Sequence, residues 1–321
     1  MRKVIQSLEV NQTIKEHFLL TRIEVKRGKN GSYFELTLAD TSGEITARKW
    51  DLTERDWSFY EGVKQEVPTV VLVKGIVRKF LHALDIKIFY IVQPVENQEI
   101  SLREFIPTAP IDIDKAFEKI EVTIENIKND KIQAIVKQIY DKYHSYLAHY
   151  PASTHHHRTY GGLIWHTVNV LKLSDTMLQL YPDLLQYDLL ISGAILHDLA
   201  KVKDYKVNRG TVTHMTDTAK LIGHVVGISH DIYEAAYQLG IDPVCTEVEL
   251  LEHIVVSHHG KREFGSPVEP AIPEAVALHY IDMLDTKVGA VQQVLEHTQV
   301  GEWSEWSKVV NGRVKKLTEG S

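Results

Sequence analysis

The residues richest in chemistry lie between positions 166 and 285, where histidines and aspartates recur on apolar helical patterns. The tightest grouping is Ile195-Leu196-His197-Asp198-Leu199-Ala200-Lys201, an imidazole beside a carboxylate near the end of an apolar run. Ile191, Ala194, Ile195 and Leu199 recur at the spacing of a core-facing helical stripe, which puts His197 and Asp198 at its edge. Desolvating a carboxylate there costs several kcal/mol unless a cation or donor compensates, and a metal ion is the natural candidate. Histidine usage agrees, since 15 of the 17 histidines fall between His144 and His297. Neutral imidazoles and carboxylates suit divalent manganese, iron, cobalt, nickel or zinc. The single cysteine, Cys245, removes both a thiolate zinc site and any internal disulfide.

Five helices must position these groups. Leu163, Val170, Leu171 and Leu178 mark the first, with His166 one turn in and Tyr181-Pro182-Asp183 ending it. A second, from about Gln186, delivers His197 and Asp198, and a polar hairpin turning at Asn208-Arg209-Gly210 follows. The third runs from about Asp217 to Leu239 and carries His224. The fourth opens on Thr246-Glu247-Val248-Glu249, which has capping-box spacing, and ends at His258-His259-Gly260. Pro273 starts the fifth, which carries His279, Asp282 and Asp285. His253 lies five residues before His258, more than a quarter turn away on a helix, and stands as an alternative to one of the pair. His258 and His259 converge only if the helix unwinds at Gly260. Asp285, one turn beyond Asp282, is placed to orient a ligand from behind. His230 and His279 have no motif support, and His155-His156-His157 reads as a surface loop.

The first hundred residues follow a different period. Phe34, Leu36 and Leu38 alternate with Tyr33, Glu35 and Thr37, the pattern of a half-buried strand. Turns at Gly28-Lys29-Asn30-Gly31 and Asp40-Thr41-Ser42-Gly43 separate it from runs at Phe18 to Val25 and Glu44 to Trp50. A helical or irregular piece around Thr53 to Gly62 precedes two more runs, Val67 to Val77 and Ile86 to Val92. Five strands interrupted after the third suggest an OB-fold. Lys26, Arg27 and Lys29 then fall between strands 1 and 2, and Arg78, Lys79, Phe80 and His82 between strands 4 and 5, the loops that border an OB groove. Tyr33, Arg48 and Trp50 alternate away from the apolar face and offer stacking and charge to a nucleic acid.

With 321 residues, 44% of them apolar, the chain can build two ordinary cores. The patterns divide the chain into an OB-like barrel that could bind nucleic acid over 1–95, a linker and helical spacer over 96–150, a histidine-rich helical domain that could carry the chemistry over 151–300 and a tail over 301–321. A charged leader with an apolar core is not seen, nor an apolar run near the roughly 18 residues of a membrane span, so a soluble cytoplasmic protein is expected, with no membrane partner. The net charge of -7 is uneven: residues 1–95 carry 15 Lys and Arg against 12 Asp and Glu, and the remainder is at -10. A small basic end can meet an anionic polymer.

The order His166, His197-Asp198, His224, His258-His259, Asp282, with Lys201 three residues after Asp198, resembles the HD superfamily of metal-dependent phosphohydrolases. With an OB-like domain in front, the chain resembles, over nearly its full length, the YhaM-type 3'-5' exoribonucleases of Gram-positive bacteria. The resemblance implies a multi-domain fold, an N-terminal all-β OB-like barrel followed by an all-α HD domain. It implies one ion on His166, His197, Asp198 and Asp282, and a second sharing Asp198 with His224, His258 and His259. One or two ions fit the site, manganese first, with cobalt, iron, nickel or zinc as alternatives. Two ions about 3.5 to 4 Å apart activate a shared water for in-line attack at phosphorus. Asp198 and Lys201 are then the catalytic residues, Lys201 offsetting charge on a phosphate oxygen. The implied substrate is single-stranded RNA; single-stranded DNA is the second candidate, because base stacking alone does not reject a missing 2'-OH. A homo-oligomer is compatible with this reading. The competing function is an HD-type nucleotidase or cyclic-nucleotide phosphodiesterase with the barrel as an interaction module. The intact ligand series opposes a nucleic-acid binder with a degenerate catalytic half.

Overall fold

The computed structural model describes residues 4–29, 31–80, 83–92, 104–106, 108–152, 159–208, 211–296 and 298–318, without the side chains of 208 and 211–213. His82, His155-His156-His157 and the turn residues Arg209 and Gly210 lie outside the described residues. The chain divides into two compact units, Met1–Thr108 with Val207–Thr213, and Ala109–Lys206 with His214–Ser321.

In the first unit, β1 (Thr13–Gly28), β2 (Gly31–Asp40), β3 (Gly43–Lys49), β4 (Thr69–Phe80) and β5 (Ala83–Val92) close into a barrel in the order β1-β2-β3-β5-β4. β1 pairs antiparallel with both β2 and β4, and β3 runs parallel to β5. That order, with helix α1 (Glu54–Val63) between β3 and β4, is the OB-fold. The period-2 pattern decides which side chains enter it: Phe34, Leu36 and Leu38 join Phe18, Leu20, Val71, Val73 and Ile86 in the core. The piece after β3 is helical because Thr53 caps it. The Asp56 carboxylate accepts the Thr53 N–H at 2.8 Å, while the Thr53 hydroxyl accepts the Asp56 N–H.

The second unit contains α2 (Ile113–Glu125), α3 (Asp130–Leu147), α4 (Gly162–Leu180), α5 (Tyr187–Leu196), α6 (Lys201–Asp204), α7 (Asp217–Leu221), α8 (His224–Gln238), α9 (Thr246–Ser257) and α10 (Pro273–Glu296). A small hairpin, β6 (Tyr205–Asn208) and β7 (Thr211–Met215), interrupts the helices. Helices α2 and α3, expected as a spacer, belong to this core. Ile120, Ile124, Ile135 and Ile139 pack in one cluster with Leu163, Leu190, Ile195, Ile254 and Leu278, so the boundary falls at 108/109 and not at 150. Every residue of α5 from Leu189 to Leu196 is buried, which makes it the central helix. At Gly193 an added Cβ would lie 2.3 Å from Ile254, so α9 meets the α5 backbone one turn before His197. Among the described residues, no helix is long and apolar enough to cross a membrane.

Three helices differ from their sequence patterns. The second expected helix ends at Leu196, which leaves His197 and Asp198 in the turn that leads to α6. The third is broken at Gly223, whose φ of 75° lies in the left-handed region, and His224 becomes the first residue of α8. Thr246 is already helical, and the cap position belongs to Cys245 with no side-chain bond, so the capping box does not form.

Candidate metal centre

The sequence reading places seven ligand candidates on five separate helical stretches, and the fold brings them together around Asp198. Its Oδ2 lies 3.4 Å from His166 Nε2 and 3.5 Å from His197 Nε2, while its Oδ1 lies 3.6 Å from His224 Nε2 and 3.9 Å from His258 Nε2. Asp282 Oδ1 approaches His166 Nε2 at 3.2 Å. The donor atoms of His166, His197 and Asp282 lie within 4.8 Å of one another, and so do those of His224, His258 and His259. One carboxylate oxygen therefore faces each group.

The imidazoles are aimed from behind. Nδ1 of His197 lies 3.1 Å from the Ala194 carbonyl oxygen, Nδ1 of His258 2.6 Å from that of Val255, and Nδ1 of His259 3.0 Å from that of Phe264. His166 Nδ1 contacts Asp285 at 2.6 Å, and His224 Nδ1 contacts Asp204 at 2.8 Å. A carbonyl oxygen only accepts, so Nδ1 carries the proton and the Nε2 lone pair points into the centre. Asn169 in turn donates to Asp285 at 2.9 Å. His253 is turned away, its Nε2 accepting the Ala271 N–H at 2.9 Å.

The adjacent pair converges because α9 ends at Ser257 and the chain reverses at Gly260, at a φ of 83°. The ring centroids of His258 and His259 are 4.2 Å apart. A Cβ on Gly260 would sit 2.2 Å from the ring of His279, whose Nδ1 donates to the His258 carbonyl at 2.9 Å. Sequence reasoning missed two residues here: Asp204, which also accepts the His224 N–H, and His279. An acidic residue one turn past Lys201 was the available signal for the first; the second carried none.

The electrostatics ask for positive charge. Among the described residues, Asp198 Oδ1, His224 Nε2 and His258 Nε2 are buried without hydrogen-bond partners although they face one another. Each such orphan costs about 1–3 kcal/mol, and a shared cation satisfies all three. In the other group His166 Nε2 and His197 Nε2 are 3.2 Å apart. Burial opposes charge on His166, but Asp282 and Asp285 outweigh it and push its pKa up to about 10. Burial holds His197 below the usual imidazole range and His258 well below it, which keeps both neutral and available as ligands. Burial also disfavours the Asp198 carboxylate, but the Lys201 ammonium beside it holds its pKa well below the ordinary carboxylate value. Lys201 donates to Asp198 Oδ2 at 2.6 Å. An all-nitrogen-and-oxygen donor set with orphaned acceptors fits divalent metal ions.

On the barrel, Tyr33 and Trp50 stack with centroids 4.0 Å apart and planes 21° from parallel. The Arg48 guanidinium lies 4.4 Å from the Phe80 ring centroid, and that of Arg78 lies 5.3 Å from it. Two carboxylates to which the sequence reading gave no role engage these cations: Asp85 binds both Arg48 and Arg78, and Glu35 accepts from Arg48 at 2.8 Å. Lys26 pairs with Glu24 at 3.0 Å, while Arg27, Lys29 and Lys79 are exposed.

The HD domain family matches residues 163–287, and that domain implies dependence on divalent metal. The chain is 38% identical to the 3'-5' exoribonuclease YhaM of Bacillus pumilus and 38% identical to that of Listeria innocua, covering 95% of each relative and 95% of itself. The second OB-fold domain of replication protein A from Methanococcus maripaludis aligns with 30% of this chain and 95% of that structure, at 15% identity and a TM-score of 0.21. Likeness at this level along nearly the whole of both chains shows the family: the chain belongs to the YhaM-type 3'-5' exoribonucleases.

Proposed function

We propose that this chain is a divalent-metal-dependent 3'-5' exoribonuclease acting on single-stranded RNA, with Asp198 shared between two metal positions. The observation that carries the metal reading is the position of Asp198, each oxygen facing a separate group of imidazole Nε2 atoms. His166, His197 and Asp282 would complete one position, and His224, His258 and His259 the other. Bound divalent ions supply Lewis acidity, lowering the pKa of water and screening charge on phosphodiester oxygens. The donor set suits manganese first, and cobalt, iron, nickel and zinc as well.

The chain's own residues prepare the centre. Asp285, Asp204 and three backbone carbonyls fix the rings, so little reorganisation remains when substrate arrives. Lys201 keeps Asp198 ionised, and its ammonium is the chain's own cation for a phosphate oxygen at this centre. On the barrel, the Tyr33–Trp50 stack and the Arg48–Phe80–Arg78 group supply faces for bases, and Arg27, Lys29 and Lys79 supply charge for phosphates. Single-stranded DNA is the secondary substrate, because none of these contacts reads a 2'-OH. A cytoplasmic location is the one that fits this reading, with cellular RNA as the substrate. The 3' to 5' direction is taken from the YhaM relatives.

The test is incubation of the purified protein with 5'-end-labelled single-stranded RNA and Mn2+, with and without chelator. Stepwise shortening from the 3' end that stops on chelation is the expected result. Internal cuts, or hydrolysis indifferent to chelator, would overturn the reading.

A further inference from the structure

The last segment, expected as a tail, is folded. Trp303 pairs with Lys315 and Ser307 with Gly312 as isolated antiparallel bridges, and Ser304 N–H donates to the Val314 carbonyl at 2.8 Å. The hairpin is tied to α10: Lys316 Nζ donates to the Leu295 carbonyl at 2.8 Å and Lys287 Nζ to that of Val309 at 3.4 Å. Its returning strand alternates cleanly, with Arg313, Lys315 and Leu317 exposed and Val314 and Lys316 half-buried. Trp303, 61% exposed, stands across from Lys315, and Trp306 is 57% exposed.

Two indoles in water beside a row of cations are a poor ending for a fold and a good platform for a strand. Tryptophan at a surface is enriched where it stacks on a partner. Lys308, Arg313 and Lys315 form no ion pair among the described residues. Charge favours a polyanion over a protein surface. Residues 96–300 carry 17 Lys and Arg against 28 Asp and Glu, whereas 302–316 carry four cations against Glu302 and Glu305. A phosphodiester strand drawn to an acidic half needs local cations, and this hairpin holds them next to aromatic faces. Its anchors on α10 follow Asp282 by five and thirteen residues, about 7 and 20 Å along the helix axis. That distance is within reach of a strand whose end lies at the metal centre.

We infer that the hairpin Trp303–Lys316 is a second grip for single-stranded RNA, in which Trp303 and Trp306 stack on bases and Arg313 and Lys315 meet phosphates. This rests on the exoribonuclease reading for the identity of the strand. The test uses full-length protein and a fluorescein-labelled 20-nucleotide single-stranded RNA, with anisotropy read in chelator over a range of KCl. W303A/W306A is expected to weaken binding about tenfold or more, and W303F/W306F to restore most of it. R313Q/K315Q changes only exposed groups and should lower the salt slope by roughly 1.4, at about 0.7 per phosphate contact. In Mn2+, turnover of the 20-mer relative to a dinucleotide should fall in both the alanine and the glutamine variants. Wild-type affinity and slope in folded variants with wild-type melting temperatures would overturn the inference. So would a drop in light-scattering mass with RNA affinity intact, which would make the tryptophans a protein interface. Absence of RNA hydrolysis by the wild type would sink the exoribonuclease reading and leave the anisotropy result to judge the hairpin alone.

Discussion

Asp198 is the residue shared by both proposed metal positions, so its charge is the sharpest single test of the site. Asp198→Asn keeps the shape but removes the negative charge and leaves one group facing an amide NH2 that cannot ligate, and several kcal/mol of charge stabilisation is lost. Turnover should fall about 10³-fold or more, with metal content by mass spectrometry below that of the wild type. The adjacent histidines give a second test. His258→Ala should lose metal, whereas His253→Ala should retain it, because His253 is committed to the Ala271 N–H; the reverse result would exchange their roles. The candidate ligands that the fold gathers could be picked from the sequence because a metal site restricts residue type: imidazoles and carboxylates must recur on separate helices. Their supports could not, since the carbonyls of Ala194, Val255 and Phe264 orient three of the rings and every residue has a carbonyl. Asp204 and His279 escaped for a related reason: each acts on a ligand's far side, where no spacing rule applies.

At the scale of elements, apolar periodicity located the helices well and their interruptions poorly. The break at Gly223 and the turn at His197-Asp198 both fall at candidate ligands, and a stripe of buried residues does not report such breaks. The capping signal at Thr246 misled because Thr and Glu at that spacing also suit a first helical turn. The barrel was more legible, as alternation fixes both the strand and the face it buries. One buried carboxylate links three helices around the HD turn. Asp231 on α8 accepts from Lys142 and Lys203 at 2.8 Å and from the Tyr143 hydroxyl at 2.5 Å, tying α8 to α3 and α6. Burial disfavours its charge, but Lys142 and Lys203 outweigh that and lower its pKa. A folded pKa below the unfolded value of about 4 means that the stabilisation is present above that value and is lost as pH falls through the folded one. Asp231→Asn should therefore cost about 1.5–3 kcal/mol at pH 7 and flatten the acid limb of a melting-temperature profile. An acid limb as steep as that of the wild type would show that the network is not what fails in acid.

Across the whole molecule, the proposed ligands all belong to the helical unit and the proposed first RNA grip to the barrel, so metal and RNA effects should separate by location. Trp50→Ala removes half of the Tyr33 stack, and RNA binding should weaken by about 1–3 kcal/mol with bound metal unchanged. Metal removal should act in the opposite place. An ion held at about 100 times its dissociation constant stabilises the folded state by about 2.7 kcal/mol. For a unit of some 200 residues, each kcal/mol is worth about 2–4 °C, so chelation should lower the melting temperature of the helical unit by roughly 5–10 °C. The cause is local: without ions, Asp198 Oδ1 and the Nε2 atoms of His224 and His258 return to being buried and unpaired. Hydrogen exchange followed peptide by peptide should therefore show lost protection in α4, α5, α8, α9 and α10, whose residues line the centre, and none in β1 to β5. Equal loss of protection in the barrel strands, or no shift in melting with bound metal confirmed, would mean that the centre does not hold its ions through the residues assigned to it.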